Sequence, residues 1–546
     1  MIGGYRWHWA LMLCAFSQAS MAQLAPEQLR IHVEQLRETG TLQIDDVSIA
    51  AVELIPELYE RRAFSPTWTR QEQVTGLIEL VEESSREGLD PDDYHYAAIL
   101  QARQELFGAA ATLPGRHADL DLILTDSLIR VGYHLRFGKV NPEILDPEWN
   151  FDRELLTDDP VATIQAAIES DSLTAFRSQL MPRGVFYERL KDALAEYRAV
   201  EATGGWQPVD AGPTLRPGAT DARVPSLTLR LIIGGDLSAD YVAPADNRYD
   251  AVLEAGVRNF QERHGLDQDG AIGPATLAAL NVTVEQRIEQ LRANLERTRW
   301  VFEDLENNFI IVNIASFRAY VVRDGDVAWT TRVQVGTPYR KTPIFKSSMK
   351  YLVFNPTWTV PPTILRQDIL PRVKEDPGYL ASKNIEVIDS SGAVIDPFDI
   401  DWPNLRGFPY RLVQGPGPTN ALGRVKFIFP NEHFVFLHDT PSQALFERQD
   451  RAFSSGCIRV ESPFDLASLL LGEEWDLERI DAVIRSEVTQ TVFLQEPLTV
   501  MLLYWTTEVD DEGRVFFLPD VYARDQAVID GLQEPYAPSV LSVGFN

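Results

Sequence analysis

Hydrophobic positions recur every three to four residues through the first half of the chain. Stretches such as LAPEQLRIHVEQLRE and SLTLRLIIGGDLS place their apolar residues on one side of a helix, and turn signals such as EGLDPDDY separate these stretches. A Pro- and Gly-rich segment at 204–225 predicts a loop or linker within this region. We therefore predict a helical scaffold domain over residues 23–245, and its pattern contains no catalytic constellation.

Residues 249–282 predict a compact pair of short helices. Gly270 and Gly273 suit the tight turn that joins them. We assign residues 246–285 to this small helical module.

A charged helix follows the module. Ile288, Leu291 and Leu295 lie on one of its faces, and arginines and glutamates lie on the other. We predict that residues 286–306 form a helix that connects the module to the next domain.

The hydrophobic period changes to two from Phe309 onward. FIIVNIASFRAYVVRDGDVAWTTRVQV is a run of β-branched and aromatic residues with a hairpin signal at Asp324-Gly325, and similar runs recur downstream. Residues 307–530 are therefore predicted to form a mainly β domain, followed by a tail at 531–546.

One long segment interrupts this β pattern. Residues 364–423 are rich in Pro, Gly and Asp and exceed the length of an ordinary connection, so we expect a lid or binding loop. The predicted fold class is a multidomain α + β protein with an N-terminal helical scaffold, a small helical module and a C-terminal mainly β domain.

Composition and charge restrict the possible partners. The chain has 546 residues, too many for a single core, and its 45% hydrophobic and 24% charged residues are typical of globular domains. The formal net charge of −30 argues against nucleic acids and anionic lipid surfaces, because binding to them depends on clustered Lys and Arg.

The N-terminus predicts export. Residues 1–22 combine Arg6, an apolar stretch over residues 7–16 and a small-x-small cleavage site at 20–22, the pattern of a signal peptide. The apolar stretch is much shorter than the ~20 residues that a membrane-spanning helix needs. We expect cleavage and no transmembrane segment afterwards.

Export makes the cysteine content informative. Cys14 would leave with the signal peptide, so the mature chain would keep Cys457 alone. A lone thiol in an oxidising compartment is either buried and inert or retained for its reactivity.

A histidine precedes Cys457 by nineteen residues. In EHFVFLHDTPSQ, strand alternation places Phe434, Phe436 and His438 on one face. His438 is either a satisfied buried side chain or a proton acceptor for Cys457, and a thiol needs such an acceptor because only the thiolate attacks carbonyls.

The neighbours of Cys457 also suit acyl transfer. The backbone N–H groups of Gly456 and Cys457 are candidates for an oxyanion hole, and Gly456 leaves room for a substrate carbonyl. Arg459 either favours the thiolate, holds a substrate carboxylate, or forms a buried salt bridge that fixes the loop.

The stretch HDT…SSGCIRV resembles the catalytic signature of the L,D-transpeptidases of the YkuD type, a His followed by Ser/Thr-His-Gly-Cys. The positions that match are His438, Ser454, Gly456 and Cys457. Ser455 stands where the signature has its second histidine, which puts in doubt any role that requires a histidine there. Asp439 follows His438 where glycine is usual.

Further segments resemble a long, multidomain, periplasmic subgroup of this family in Gram-negative bacteria. They include ELYERRAFSPTW, FGKVNPEILDPEWNF, NPTWTVPP, GPGPTNALGRVKFIFPN and YWTTEVDDEGRVFF, so the resemblance spans nearly the whole mature chain. The FQ…GL…DGxxGxxT pattern at 249–282 resembles the small peptidoglycan-binding module.

The resemblance implies a reaction without metal or cofactor. Cys457, with His438 as general base and acid, would attack meso-diaminopimelate in a peptidoglycan tetrapeptide, release D-alanine and pass the acyl group to a second stem as a 3-3 crosslink. Carbapenems would acylate the same thiol. The residues placed in family-like segments, which either line the cleft or belong to the core, are Asn355, Trp358, Asn420 and Tyr504.

Other functions remain open at this point. An unrelated thiol protease or amidase would more often place its histidine far downstream of the cysteine. A non-catalytic wall-binding scaffold fits the module and the helical region, and related enzymes that hydrolyse stems or attach lipoproteins share the acylation step. We expect a periplasmic L,D-transpeptidase with donor and acceptor stems as partners, and other cell-wall synthesis enzymes as possible partners.

Overall fold

The protein is described by a computed structural model that covers residues 25–109, 112–146, 149–151, 159–170, 172–182, 184–301, 307–405 and 407–535. The predicted signal peptide and most of the predicted tail lie outside these residues. Within them, no helix combines the length and apolar character needed to cross a membrane.

Helices packed around one long central helix form the N-terminal domain, as the apolar pattern predicts. The central helix is buried along almost its whole length after Ala118. The elements are α1 (25–39), the hairpin β1 (Leu42–Ile44) and β2 (Val47–Ile49), α2 (Leu54–Arg61), α3 (Gln71–Ser84), α4 (Tyr96–Phe107), the central α5 (Pro114–Phe137), α6 (Pro142–Leu145), α7 (Pro160–Glu169), α8 (Thr174–Leu180) and α9 (Val185–Ala202), with 3₁₀ turns at Ser85–Glu87 and Pro91–Tyr94.

Three helices share the core of the small module, namely α10 (Val224–Ile233), α11 (Ala251–Arg263) and α12 (Pro274–Leu280). The sequence analysis placed α10 in the scaffold domain. Its apolar face instead packs against α11, where Leu227 and Leu231 meet Leu253 and Val257. The module is therefore larger than the predicted helix pair.

The helix that was predicted to connect the module to the next domain is α13 (Val284–Arg299). Its charged residues do not form a solvent-exposed face along the whole helix. Glu296 and Arg299 are buried and paired with each other at 2.7 Å, and Arg297 pairs with Asp525 at 2.6 Å. The predicted polar face is wrong for the second half of the helix, where charged residues are buried and paired either within the helix or, for Arg297, with a residue far away in sequence.

Strands and short helices alternate in the C-terminal half. The strands are β3 (Phe309–Asn313), β4 (Arg318–Arg323), β5 (Asp326–Gly336), β6 (Phe345–Phe354), β7 (Trp358–Thr359), β8 (Ile385–Ile388), β9 (Val394–Ile395), β10 (Arg411–Gln414), β11 (Val425–Ile428), β12 (Leu437–His438), β13 (Ala452–Ser454), β14 (Ile458–Val460), β15 (Gln490–Leu503), β16 (Thr507–Val509) and β17 (Val515–Phe517). The helices are α14 (Pro362–Ile364), α15 (Leu370–Glu375), α16 (Gly378–Ser382), α17 (Pro463–Leu471), α18 (Leu477–Arg485) and α19 (Asp525–Gln533), with a π turn at Leu365–Ile369 and 3₁₀ turns at Pro397–Asp399, Trp402–Asn404 and Gln443–Glu447.

Nine of these strands form one mixed sheet, in the order β13-β5-β14-β12-β11-β6-β15-β3-β4. A further pairing of β4 with β5 closes the sheet on itself. Most neighbours are antiparallel, but β12 and β14 are parallel and lie side by side in the middle of the order. Strand β12 contains the predicted base His438, and strand β14 begins directly after the predicted nucleophile Cys457.

The segment predicted as a lid loop is a folded unit. Strands β7, β10, β8 and β9 form a separate antiparallel sheet, and a small core includes Val373, Leu380, Val387 and Trp402. We call residues 358–414 the cap. Its strands are two to four residues long, too short to show a strand period, which explains why the sequence indicated only a loop.

Candidate active site

Parallel pairing of β12 with β14 brings the two predicted catalytic residues to one face of the sheet. Leu437 is paired with Ile458 and His438 with Arg459, and both Leu437 and Ile458 are fully buried in the core. Since side chains alternate along strands, His438, Arg459 and Cys457 share the opposite face.

The turn before Cys457 is fixed by three hydrogen bonds. The Ser454 hydroxyl accepts from the Gly456 N–H at 3.1 Å and donates to the Cys457 carbonyl at 2.5 Å, and Thr342 donates to the Gly456 carbonyl at 2.8 Å. Gly456 has φ +117°, a conformation that disfavours any other residue. Glycine is required here for its backbone conformation, since a Cβ would meet only one atom, at 3.7 Å.

These contacts change the predicted oxyanion hole. The Gly456 N–H already donates to Ser454, whereas the Cys457 N–H has no acceptor within the described part of the chain. The geometry therefore favours the Cys457 amide over the Gly456 amide as the donor to a developing oxyanion.

The thiol is half-buried and protonated at rest. Cys457 Sγ donates to the Phe434 carbonyl at 3.7 Å, and Phe434 itself has φ +54° and an exposed ring. Burial raises the pKa of the thiol, opposed by the Phe436 amide and by the positive charges of Lys426 and Arg459. Activation therefore requires a base.

His438 is suited to be that base. Burial, with a further contribution from the Arg459 charge, lowers its pKa to about 3. Its Nδ1 lies 2.5 Å from the Asp439 carbonyl oxygen, which can only accept, so Nδ1 carries the proton and Nε2 carries the lone pair. The ring is neutral near pH 7 and able to accept a proton.

Asp439 stands at the position where glycine is usual in the signature, and its side chain has room because residue 423 is a glycine. Its carboxylate accepts from the backbone N–H groups of Arg424 at 2.8 Å and Thr440 at 2.7 Å. A Cβ at Gly423 would lie 2.4 Å from Asp439. Asp439 is thus a structural residue that ties the loop before β11 to the end of β12.

Ser455 connects the cysteine turn to the cap. Its hydroxyl accepts from Arg340 at 2.8 Å, and Arg340 forms an ion pair with Asp368 at 2.7 Å and a hydrogen bond to Gln367. Both partners of Arg340 belong to the cap. Ser455 therefore lies in a hydrogen-bonded link and has no base next to it.

A cleft of about 500 Å³ lies between this link and the cap. Ser454 and Ser455 of the cysteine turn form part of its wall. The residues around it are Thr337, Tyr339, Arg340, Thr363, Gln367, Asp368, Phe453, Ser454 and Ser455.

Arg459 does not form the buried salt bridge that was one of its predicted roles. It donates to the Gln334 side-chain oxygen at 3.1 Å, and its Nε has no acceptor within the described residues. Its charge is therefore available to the thiol or to a ligand.

The four residues expected in the cleft have mostly structural positions. Asn355 is buried and donates to the carbonyls of Val483 and Val488, and Asn420 is buried and donates to those of Pro356 and Gly415.

Tyr504, also buried, donates to Asp520 at 2.6 Å. Trp358 is half-buried and packs on the cap core. Buried hydrogen bonding keeps Asn355, Asn420 and Tyr504 away from a substrate.

The sequence analysis missed Lys426, Arg340, Thr342 and Gln334. Lys426 lies in VKFIF. Strand alternation places Lys426 on the face opposite to that of the core residues Val425 and Phe427. That signal was present in the sequence, whereas the contacts of Arg340 and Thr342 depend on tertiary structure.

Comparisons with known proteins agree with this architecture. Residues 53–194 match a family described as a scaffold domain, residues 228–280 one described as "Putative peptidoglycan binding domain", and residues 307–484 the YkuD family, described as an L,D-transpeptidase catalytic domain. All the active-site residues described above lie within the third match.

A curated relative covers part of the chain. A Haemophilus influenzae protein named "Putative L,D-transpeptidase" is 40% identical over 242 residues, which are 44% of this chain and 49% of that protein. The chain thus matches about half the length of this relative.

Two solved structures are also similar over 54% of this chain and the whole of their own. One is an L,D-transpeptidase from Xylanimonas cellulosilytica, 15% identical with a TM-score of 0.16. The other, from Clostridium acetobutylicum, is a fused Zn-dependent amidase/peptidase with a peptidoglycan-binding domain, 13% identical with a TM-score of 0.15.

Proposed function

We propose that this protein, which has an L,D-transpeptidase catalytic domain and a peptidoglycan-binding domain, forms 3-3 crosslinks in peptidoglycan through a Cys457 thioester. The observation that carries the proposal is the parallel β12–β14 pair, which places His438, Cys457 and Arg459 on one face of the sheet. The substrates are two stem peptides, a donor tetrapeptide and an acceptor.

Acylation begins when the thiol hydrogen leaves the Phe434 carbonyl and passes to Nε2 of His438. The sulfur forms a bond to the carbonyl carbon of diaminopimelate in the donor, and the oxyanion accepts from the Cys457 N–H. The bond to the D-alanine nitrogen then breaks as His438 returns the proton to that nitrogen.

Transfer repeats these steps with a different amine. The side-chain amine of diaminopimelate on a second stem attacks the thioester and gives up a proton to His438, and the thiol is regenerated as the new amide forms. The proposed reaction uses no metal and no cofactor. Carbapenems would acylate the same sulfur.

The proposed location is the periplasm, after removal of residues 1–22. Two features support it, the signal-peptide pattern in the sequence and a peptidoglycan substrate, which lies outside the cytoplasm. The peptidoglycan-binding module would hold the catalytic domain near its substrate and raise its local concentration there.

Intact-protein mass spectrometry tests the proposal. Wild type and Cys457→Ala are each incubated with a disaccharide tetrapeptide and, separately, with a carbapenem. We expect a wild-type adduct at Cys457 and release of D-alanine, neither of which occurs in the variant, while its thermal unfolding is unchanged because Ala removes only the sulfur. Release of D-alanine by Cys457→Ala would disprove the thioester mechanism.

A further inference from the structure

Two cations flank the thiol without a carboxylate partner. Lys426 is paired with His438 in the β11–β12 register, and His438 with Arg459 in the β12–β14 register, so the three side chains form a row on the face that carries Cys457. Within the described residues neither Lys426 nor Arg459 contacts an acidic side chain. This is unexpected in a chain with 80 acidic residues.

Both cations are partly removed from water. The Lys426 ammonium lies 3.8 Å from the centre of the Phe436 ring, and burial lowers the pKa of Lys426 and that of Arg459. Buried charges without partners are costly, and proteins normally pair them. Elsewhere in this molecule, Arg263 pairs with Asp236 at 2.7 Å, for example.

Other buried arginines that lack a carboxylate donate to backbone carbonyls. Arg230 donates to the Leu280 carbonyl and stacks on Trp206, and Arg451 donates to the carbonyls of Arg448 and Phe317, although each also keeps one nitrogen without an acceptor among the described residues. Arg459 has only the neutral Gln334 side chain and an unsatisfied Nε, and Lys426 has only an aromatic face. Both keep donors free for an anion next to the nucleophile.

We propose that Lys426 and Arg459 form a carboxylate-binding site beside Cys457, and that this site holds the C-terminal carboxylate of the donor stem. The assignment of the occupant rests on the proposed function. In a tetrapeptide donor, the terminal carboxylate belongs to the leaving residue and lies within about 4 Å of the scissile nitrogen, since one residue spans that distance. A carboxylate bound there would place the scissile carbonyl at the sulfur.

This site would make the enzyme specific for the last peptide bond of a stem. An internal bond has no carboxylate at that distance, so its cleavage would leave two partly buried cations without an anionic partner. Lys426 and Arg459 are thus specificity-determining residues, and they act on the substrate as well as on the thiolate.

Alkylation of Cys457 tests the site without any peptide. Iodoacetate carries a carboxylate and iodoacetamide does not, and both react with the same thiolate, so the ratio of their rates cancels the thiolate fraction. Rates are measured by mass spectrometry of the Cys457 peptide. We expect Lys426→Met to lower the iodoacetate-to-iodoacetamide ratio about tenfold, through loss of a nearby charge in a poorly solvated site.

Two variants serve as controls in the alkylation experiment. Lys426→Arg should keep the wild-type ratio because it keeps the charge. Lys350→Met, which removes an exposed lysine from the neighbouring strand β6, should also keep it. Equal ratios in wild type and Lys426→Met would overturn the carboxylate site.

Donor peptides identify the occupant. Three tetrapeptides are compared: the natural one, one with a C-terminal amide, and one with an amide at the distal carboxyl of diaminopimelate. We expect Lys426→Met to reduce kcat/KM more for the first and third donors than for the C-terminal amide, for which only the effect on the thiolate remains. Equal loss with all three would mean that Lys426 acts only on the thiolate.

The remaining outcomes also decide between the two proposals. If the donor with the distal amide shows the smallest loss of kcat/KM in Lys426→Met, the site binds that other carboxylate and our assignment is wrong. If none of the peptides acylates the wild-type enzyme, but Lys426→Met still lowers the iodoacetate-to-iodoacetamide ratio, the transpeptidase proposal fails while the carboxylate site stands.

Discussion

His438 is a neutral base because of where the chain buries it. The imidazole is 4% exposed and lies in a row with Lys426 and Arg459, and both the loss of water and the positive neighbours disfavour its protonated form. A base with a low pKa remains unprotonated over the whole physiological range. A low pKa also means a weak driving force for proton removal, and the two cations act on both groups, since they lower the pKa of the thiol as well as that of the imidazole.

We predict that His438→Gln lowers the acylation rate by about 10²–10⁴-fold, the usual contribution of a general base. Glutamine can still donate to the Asp439 carbonyl, so the turn should be retained. Stopped-flow measurement of carbapenem acylation checks the rate. Acylation at the wild-type rate would exclude His438 as the proton acceptor.

The same residue predicts a pH dependence of stability. The pKa of His438 is about 3 in the folded state and near 6.5 when unfolded. As pH falls through this window, the unfolded chain binds a proton that the folded chain does not, so the free energy of unfolding decreases.

Wild type should lose about 2.7 kcal/mol more than His438→Gln between about pH 7.5 and about pH 4.5. Urea unfolding of both proteins at the two pH values measures the difference. Identical pH dependence in the two proteins would contradict the buried neutral imidazole.

Gly423 and Asp439 form a complementary pair. Gly423→Ala should destabilise the protein by about 2–4 kcal/mol, because its Cβ would lie against Asp439 and the backbone has φ +63°. Gly407→Ala is the matched control, since Gly407 has φ +76° but no atom within 4 Å of the added Cβ, and it should cost about 1 kcal/mol. Thermal or urea unfolding compares the two.

A double variant separates clash from strain. Asp439→Gly removes two hydrogen bonds to backbone N–H groups, so it should be destabilising by itself, but it should cost less in the Gly423→Ala background, by the part of the loss that is due to the clash. Equal costs in the two backgrounds would mean that backbone strain accounts for the whole effect of Gly423→Ala.

At the scale of elements, the sequence predicted the helices and strands that show a clear hydrophobic period. It did not predict the short strands that form only by pairing with residues far away in the chain. The helices of the first half and the strands β3 to β6 follow from periodicity, and SSGC marked the cysteine turn. The cap was missed because β7 pairs with β10 more than fifty residues later, and neither is long enough to show alternation. The role of Gly456 was predicted only in part, because its N–H partner is a side chain in the same turn.

The cap should behave as a cooperative unit on its own core. Trp402 is 1% exposed and donates to the Pro397 carbonyl at 2.7 Å. Trp402→Ala should destabilise the cap by about 3–5 kcal/mol. Hydrogen exchange should then show loss of protection in β8 and β10 and unchanged protection in β3 and β15.

Phe398→Ala provides the matched control for the cap, because that ring is 69% exposed. It should leave exchange in all four strands as in wild type. Loss of protection in β3 and β15 after Trp402→Ala would show that the cap and the main sheet unfold as one unit.

At the scale of the whole molecule, the domains are joined by buried side chains in addition to linkers. On one side, α13 carries Arg297, which reaches Asp525 of α19, and Glu296, which accepts from the backbone N–H of Val140 after α5. On the other side, the module lies against the β16–β17 hairpin, where Arg263 donates to the Val515 carbonyl at 2.5 Å. The module is therefore held in a fixed orientation relative to the catalytic sheet.

Phe517 is the centre of that second junction. Its ring is 2% exposed, with the His264 ring stacked at 5.9 Å on one side and the Arg287 guanidinium 4.4 Å from its centre. Phe517→Ala would remove the ring contacts that His264 of the module and Arg287 of α13 make with the hairpin, at a cost of about 3–5 kcal/mol. Because the module has its own core, we expect it to stay folded and to unfold separately.

Differential scanning calorimetry tests this uncoupling, with Phe516→Ala as the control, since Phe516 lies on the opposite face of the same strand and is only half-buried. We expect an additional low-temperature transition in Phe517→Ala and the wild-type profile in Phe516→Ala.

Activity on two substrates shows what the uncoupling does to function. If uncoupling occurs, soluble stem peptides should still acylate Cys457 at the wild-type rate. Turnover of intact peptidoglycan sacculi should fall, because the module would no longer orient the catalytic cleft on the wall. Equal losses on both substrates would instead show that the hairpin supports the active site itself.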